Sequence, residues 1–215
     1  MKHIILILSA IILLVGLVSF LRYRPDKAES QMNLGCDAIE EQEASSRLKA
    51  KADSAFRYCK TKGFNTQYCI LVDFSIHSGK QRFFVWDFKN NAIKYSSLCC
   101  HGYGQKSSQT EPVFSNVEGS YCSSLGKYKI GVRAYSKWGI NVHYKLHGLE
   151  NTNNNAFKRF VVLHSYTPVA DKDIYPKHLP LGWSQGCPVI NDNAMKQVDE
   201  LLKSVAKPML LWIYL

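Results

Sequence analysis

The chain has no block of basic residues, no internal repeat and no low-complexity tract. Its formal net charge is +10, yet the Lys and Arg residues are scattered between Arg22 and Lys207. That spread excludes a nucleic-acid-binding arm and suits either weak attraction to anionic surfaces or an ordinary soluble basic surface. Without repeats, solenoids and arrays are excluded as well. The Cys and His spacings match no zinc motif, so neither a metal nor any other cofactor is expected. No run of small residues of the A-x-A kind follows the long apolar segment, since Val18-Ser19-Phe20-Leu21 is a poor cleavage site.

That apolar segment is the first thing present. It runs uninterrupted from Ile4 to Leu21 and is closed by Arg22, Tyr23 and Arg24. Eighteen helical residues at about 1.5 Å each span roughly 27 Å, enough for a bilayer core. A retained membrane anchor is therefore expected over 1–24, a polar linker over 25–38 and one domain over 39–215, a length that suits a sizeable core. Arg22, Arg24 and Lys27 outnumber Lys2 and the amino terminus, so the flanking charges count against export of the carboxyl end. Asn33-Leu34-Gly35-Cys36 lies too far past the apolar run for a lipidation box.

Seven cysteines are many for a cytosolic chain of 215 residues. Six would make an even set in an oxidising compartment and leave one free thiol. Cys59 with Cys69, and Cys99 or Cys100 with Cys122, are the expected bridges; the alternative is that these cysteines are small buried hydrophobes.

Apolar residues at helical spacing from Ile39 to Cys59 predict an amphipathic helix, with Gly63 beyond it. Runs rich in β-formers predict strands over Tyr68–Ile76, Arg82–Phe88, Ala92–Cys100, Gly126–Ala134, Asn141–Leu146 and Arg159–His164. A second helix with Met195, Val198, Leu201, Leu202 and Val205 on one face follows the capping candidates Asn191 and Asp192. Pro208 separates it from a buried strand over Met209–Leu215. The fold class is thus β-rich α+β, with flanking helices.

Chemistry concentrates late in the chain. In Ser184-Gln185-Gly186-Cys187-Pro188 a cysteine follows a glycine, whose missing side chain lets backbone amides approach a ligand. Such amides can hold an oxyanion. Upstream, the β-prone run Phe160-Val161-Val162-Leu163 ends in His164-Ser165. An imidazole beside a thiol lowers the thiol pKa and shuttles its proton. Read from residues alone, Cys187 pairs with one of seven histidines or is structural.

His164-Ser165, a connecting loop and Ser184-Gln185-Gly186-Cys187 together resemble the signature of the murein L,D-transpeptidase catalytic-domain family, within the YkuD-like superfamily. Val72-Asp73-Phe74-Ser75, His101-Gly102-Tyr103-Gly104, Phe114-Ser115-Asn116, Ser123-Ser124-Leu125-Gly126 and Leu146-His147-Gly148-Leu149-Glu150 extend the resemblance from roughly Ala55 to the carboxyl end. It implies an L,D-transpeptidase-like β-sandwich or barrel acting on peptidoglycan stem peptides, in a bacterial cell envelope and outside the cytoplasm. Cys187 would be the nucleophile and His164 the base that takes the thiol proton and later activates the acceptor amine, with the Ser165 carbonyl orienting its ring. The amides of Gly186 and Cys187 would hold the oxyanion, and carbapenems would acylate the thiol. Ser184, Gln185, His147 and Tyr166 are candidates for substrate contact, with His147 the rival base to His164. Gln185 departs from the commoner box, which has His there, and the loop carrying Tyr175, Pro176 and His178 is longer than in the best-known members.

Three other functions compete. Water in place of an amine acceptor would make the same enzyme a carboxypeptidase or a wall amidase. His164, His178 and Cys187 as zinc ligands would make a metal module. Loss of activity would leave a wall-binding protein, a reading that the intact Cys187, His164, Ser184 and Gly186 oppose. Nothing in the chain names a protein partner.

Overall fold

The computed structural model describes residues 42–215. The expected anchor (1–24), the linker (25–38) and Cys36 lie outside the described residues. Among those described, no helix is long and apolar enough to cross a membrane. The chain divides into two units, Met1–Arg47 and Leu48–Leu215. Among the described residues, 42–62 are helical and form α1.

The second unit is built on one eight-stranded sheet. In chain order its strands are β1 (Tyr68–Asp73), β2 (Phe83–Asp87), β3 (Ala92–Ser97), β4 (Gly126–Tyr135), β5 (Val142–Gly148), β6 (Val162–Ser165), β7 (Val189–Ile190) and β8 (Leu210–Tyr214), with α2 (Asp192–Ser204) before the last. The spatial order is β3-β2-β1-β8-β4-β5-β6-β7. β8 enters between two antiparallel ladders, parallel to β1 and antiparallel to β4. A strand buried on both faces reads as a continuous apolar run, which is why Met209–Leu215 shows no alternation. Past β3, Cys100 bridges Val189 of β7. The sheet therefore curls until its two ends nearly meet, the barrel-like form of the expected fold rather than two stacked sheets.

Both faces of β1 are covered. Ile70 and Val72 join the larger core with Tyr128, Leu146, Leu163, Met195, Val198 and Leu201. Cys69 and Leu71 point the other way, onto Leu48, Ala52, Ala55 and Cys59 of α1. The period of two in a strand and the i, i+4, i+7, i+11 stripe on α1 meet there. α2 begins at its N-cap Asn191, whose Oδ1 accepts from Ala194 N at 2.7 Å while Nδ2 donates to Ser97 Oγ at 2.8 Å. One side chain thus starts the helix and ties it to the end of β3.

Two local expectations change. β1 stops at Asp73, because its carboxylate accepts from Ser75 N and turns the chain. Residues 159–161 are not strand: Arg159 N bonds to Asn155 O, Val161 N to Ala156 O, and Phe160 sits at φ 61°. β7 has only two residues, too few to carry a pattern. The expected disulfides do not form either. Cys59, Cys69, Cys99, Cys100 and Cys122 are free and buried, and desolvation pushes the Cys59 and Cys99 thiols up to about 12. They pack as small hydrophobes.

Candidate active site

Strand register brings Cys187 to His164. β6 and β7 are parallel, with His164 beside Val189 and Ser165 beside Ile190. Two residues earlier on both chains, Val162 stands beside Cys187, and its N–H donates to Sγ at 3.4 Å. Cys187 and His164 are therefore diagonal neighbours, both lining a cleft of about 560 Å³. The His164 ring is fixed by Nδ1, 3.0 Å from the Ser165 carbonyl oxygen. A carbonyl can only accept, so Nδ1 carries the proton and Nε2 keeps a lone pair. The Ser165 hydroxyl is engaged elsewhere, accepting from Ile140 N at 3.1 Å.

The electrostatics give a thiol and a neutral imidazole at rest. Desolvation raises the Cys187 pKa, opposed by the Val162 amide and by the charges of Arg159 and Lys145. Desolvation lowers His164, partly offset by the Ser165 carbonyl and reinforced by His143. A neutral imidazole can take a proton from a thiol whose anion meets an N–H donor and two nearby cations.

The loop before β7 is held from within and from behind. Ser184 Oγ donates to the Cys187 carbonyl at 2.6 Å and accepts from Gly186 N at 3.0 Å. The Gly186 amide is thereby engaged within the loop. Tyr103 N donates to the Ser184 carbonyl at 3.1 Å, and Ser123 Oγ to the Gly186 carbonyl at 3.4 Å. Gly186 lies at φ +109° against the Cys122 carbonyl. Arg159 supports that segment: Nη1 donates to Ser115 O and Ser124 Oγ, and Nη2 to Ser120 Oγ and Cys122 O. The Gly102-Tyr103 and Ser123-Ser124 motifs thus shape the nucleophile loop.

The other expected contacts divide. Ser184 and Gln185 line the cleft, Ser184 buried and Gln185 exposed. Tyr166 also lines it, edge-on to Trp138 (5.6 Å) and Trp183 (5.5 Å). His147 does not line it: the ring is stacked on Phe157 at 4.9 Å, farther along β5. His101 is a satisfied buried residue between Arg82 Nη2 and the Ser108 carbonyl, lowered to about 4 chiefly by desolvation.

The long loop is docked by Ile174 N and Tyr175 N on the Gly79 carbonyl and by His178 on Ser78 Oγ at 2.8 Å. Its end, Gly182 and Trp183, lines the cleft; Tyr175, Pro176 and His178 do not. His178 stacks on His77 at 3.7 Å instead of joining His164 and Cys187. Among the described residues, no three His, Cys, Asp or Glu side chains converge for a metal.

Sequence reasoning missed His143, Arg159 and Trp138, all in the cleft wall. His143 alternates with buried Val142 and Tyr144, so its outward face was legible. Its neighbour across the sheet was not.

A cleft holding a thiol on the loop into β7 and a carbonyl-tethered neutral imidazole on the adjacent strand β6 is equipped for nucleophilic thiol chemistry. Residues 34–214 match the L,D-transpeptidase catalytic domain family, and the chain belongs to it. No curated protein matches the chain. Among solved structures it is similar to the helical cell shape determining protein Pgp2 from Campylobacter jejuni, with 12% identity over 68% of this chain and 46% of that one, TM-score 0.45. It is also similar to the L,D-transpeptidase from Xylanimonas cellulosilytica, with 8% identity over 74% and 68%, TM-score 0.38. The chain spans about half the length of the Pgp2 structure.

Proposed function

We propose that the protein is a cysteine L,D-transpeptidase that cuts and rejoins peptidoglycan stem peptides through a thioester on Cys187. The carrying observation is the shared cleft, in which Val162 N–H meets Cys187 Sγ while His164, on the same strand as Val162, lines the same cleft with Nδ1 tethered to the Ser165 carbonyl and Nε2 left as the acceptor. Sγ attacks the carbonyl carbon of the third residue of a tetrapeptide stem. The thiol proton passes to His164 and from there to the departing D-alanine amine as the C–N bond breaks. The Cys187 amide would hold the nascent oxyanion, the Gly186 amide being engaged with Ser184. An amine of a second stem then displaces Sγ, forms the new amide and restores the thiol. The aromatic wall of Trp138, Tyr166 and Trp183 favours this acceptor over water. An anchor over 1–24 would hold the domain at the membrane, outside the cytoplasm, where its substrate lies.

Purified protein incubated with tetrapeptide muropeptides is expected to give cross-linked dimers and free D-alanine. Tripeptide product without dimers would replace transfer by hydrolysis. A carbapenem is expected to add its own mass to the wild type and nothing to Cys187→Ala. An equal adduct in the variant would exclude Cys187 as nucleophile.

A further inference from the structure

The cleft carries cations and no acid. Among the described residues, no Asp or Glu lines it, whereas Arg159 and Lys137 do. The Arg159 fork is engaged with the protein itself, on Ser115, Ser120, Cys122 and Ser124. Lys137 belongs to the loop whose Ile140 N donates to Ser165 Oγ, and its Nζ lies 5.1 Å from the Trp138 ring centroid.

A third cation stands at the rim. Lys145 is directly opposite Val162 in the β5–β6 ladder, and Val162 is the residue whose N–H meets Sγ. Its strand neighbours Tyr144 and Leu146 face the core, so Lys145 points to the outer face. There its Nζ lies 2.9 Å from the ring centroid of Phe160, which lines the cleft, and 5.2 Å from that of Phe157. The turn at φ 61°, with Phe160 N bonded to Phe157 O, presents the Phe160 ring outward. Among the described residues, Lys145 Nζ has no hydrogen bond and no ion pair. Desolvation lowers its pKa, opposed by the charge of Cys187. An ammonium partly withdrawn from water and resting on ring faces is prepared for an anion.

The direction of the reaction says which part of the substrate meets it. His164 delivers its proton to the departing amine, so the D-alanine leaves at the His164 end, beside Trp138 and Tyr166. Val162 lies two residues back on β6, about 6.6 Å away, with Phe160 and Lys145 next to it. The acyl part that stays on Sγ extends from the other side of the carbonyl carbon, toward that end. In a stem peptide this part offers carboxylates at two places. One is the α-carboxylate of the γ-linked second residue, and the other ends the third side chain where that residue is a diamino dicarboxylic acid. Resting on the thioester reading above, we infer that Lys145 is a specificity-determining residue for the donor, its ammonium on the Phe160 ring binding a free carboxylate of the retained acyl part.

The test uses the full chain and three tetrapeptide muropeptides as donors: one with both carboxylates free, one amidated at the second residue and one amidated at the third side chain. First-turnover D-alanine release gives kcat/KM for each. The wild type is expected to lose about tenfold to a hundredfold on one of the two amidated donors, and that donor identifies the carboxylate. Lys145→Met keeps the apolar stem on Phe160 and is expected to use this donor and the free one equally well. Lys145→Arg is expected to retain the preference. Because the charge of Lys145 also reaches Cys187, a general slowing of Lys145→Met on all three donors is expected as well, and iodoacetamide alkylation measures it separately. The preference between donors is free of that effect.

The inference is overturned if the wild type uses all three donors alike, or if its preference persists undiminished in Lys145→Met. If the wild type forms no thioester by intact mass with any donor, the failure lies in the Cys187 reading, and both fall.

Discussion

Gly186 lies over the carbonyl oxygen of Cys122 so closely that a Cβ at 186 would stand 2.5 Å from that oxygen and 3.3 Å from Arg159 Nη2. The oxygen is backbone, held in place by Arg159, and cannot move aside cheaply. The glycine is therefore set by a close approach as well as by its positive φ. Gly186→Ala is expected to displace the nucleophile loop and lose about 10²-fold in kcat, since a shift of about 1 Å at a reacting atom has that effect. It is expected to destabilise the fold by about 1–3 kcal/mol. Thermal melting and D-alanine release measure the two effects separately.

Arg159 connects this support to the thiol. Its guanidinium makes four hydrogen bonds to the 115–124 segment, and its charge favours the Cys187 thiolate. Arg159→Gln is expected to lose about 2–4 kcal/mol of stability. Iodoacetamide alkylation of Cys187 is expected to slow severalfold at neutral pH, with its pH profile moved to higher pH. Arg159→Lys keeps the charge without the fork and is expected to restore the alkylation profile more fully than the stability.

His101 makes folding sensitive to acid. Its pKa in the fold is about 4, against an ordinary value of 6.5, because burial and Arg82 disfavour the imidazolium. Between those values the unfolded chain binds more protons, so stability rises with pH. The contribution is complete above about pH 6.5 and is lost progressively as pH falls through about 4, by roughly 3 kcal/mol in all. Urea melts across this window are expected to be flatter for His101→Gln than for the wild type.

Asn191 serves α2 and β3 at once. Asn191→Ala is expected to lose about 1–2 kcal/mol by urea denaturation. Asn191→Asp keeps the acceptor for Ala194 N but not the donor to Ser97 Oγ, and is expected to fall between the two.

Much of this fold is legible along the chain because periodicity is a local property. The α1 stripe, the β1 and β2 runs and the Asn191 cap each depend on residues within a few positions of one another. The strand expected over 159–161 fails because the bonds from Arg159 to Asn155 and from Val161 to Ala156 hold a turn there that β propensity does not register. The expected disulfides fail for a related reason. Apolar burial and oxidative pairing make the same demand for Cys in a sequence, and only the packed core separates them.

The sequence by itself determined that Cys187 follows a glycine and that His164 ends a β-prone run, because both follow from neighbouring residues. Only the tertiary structure decided what each faces. Parallel pairing of β6 with β7 sets Val162 beside Sγ, and antiparallel pairing of β5 with β6 sets His143 against His164. The same strand β5 carries His147 out of the cleft. Ser184 takes up the Gly186 amide by a turn that no residue pattern announces. Register is a long-range choice made by burial of the whole sheet, and a change of one residue would turn every one of these side chains to the other face.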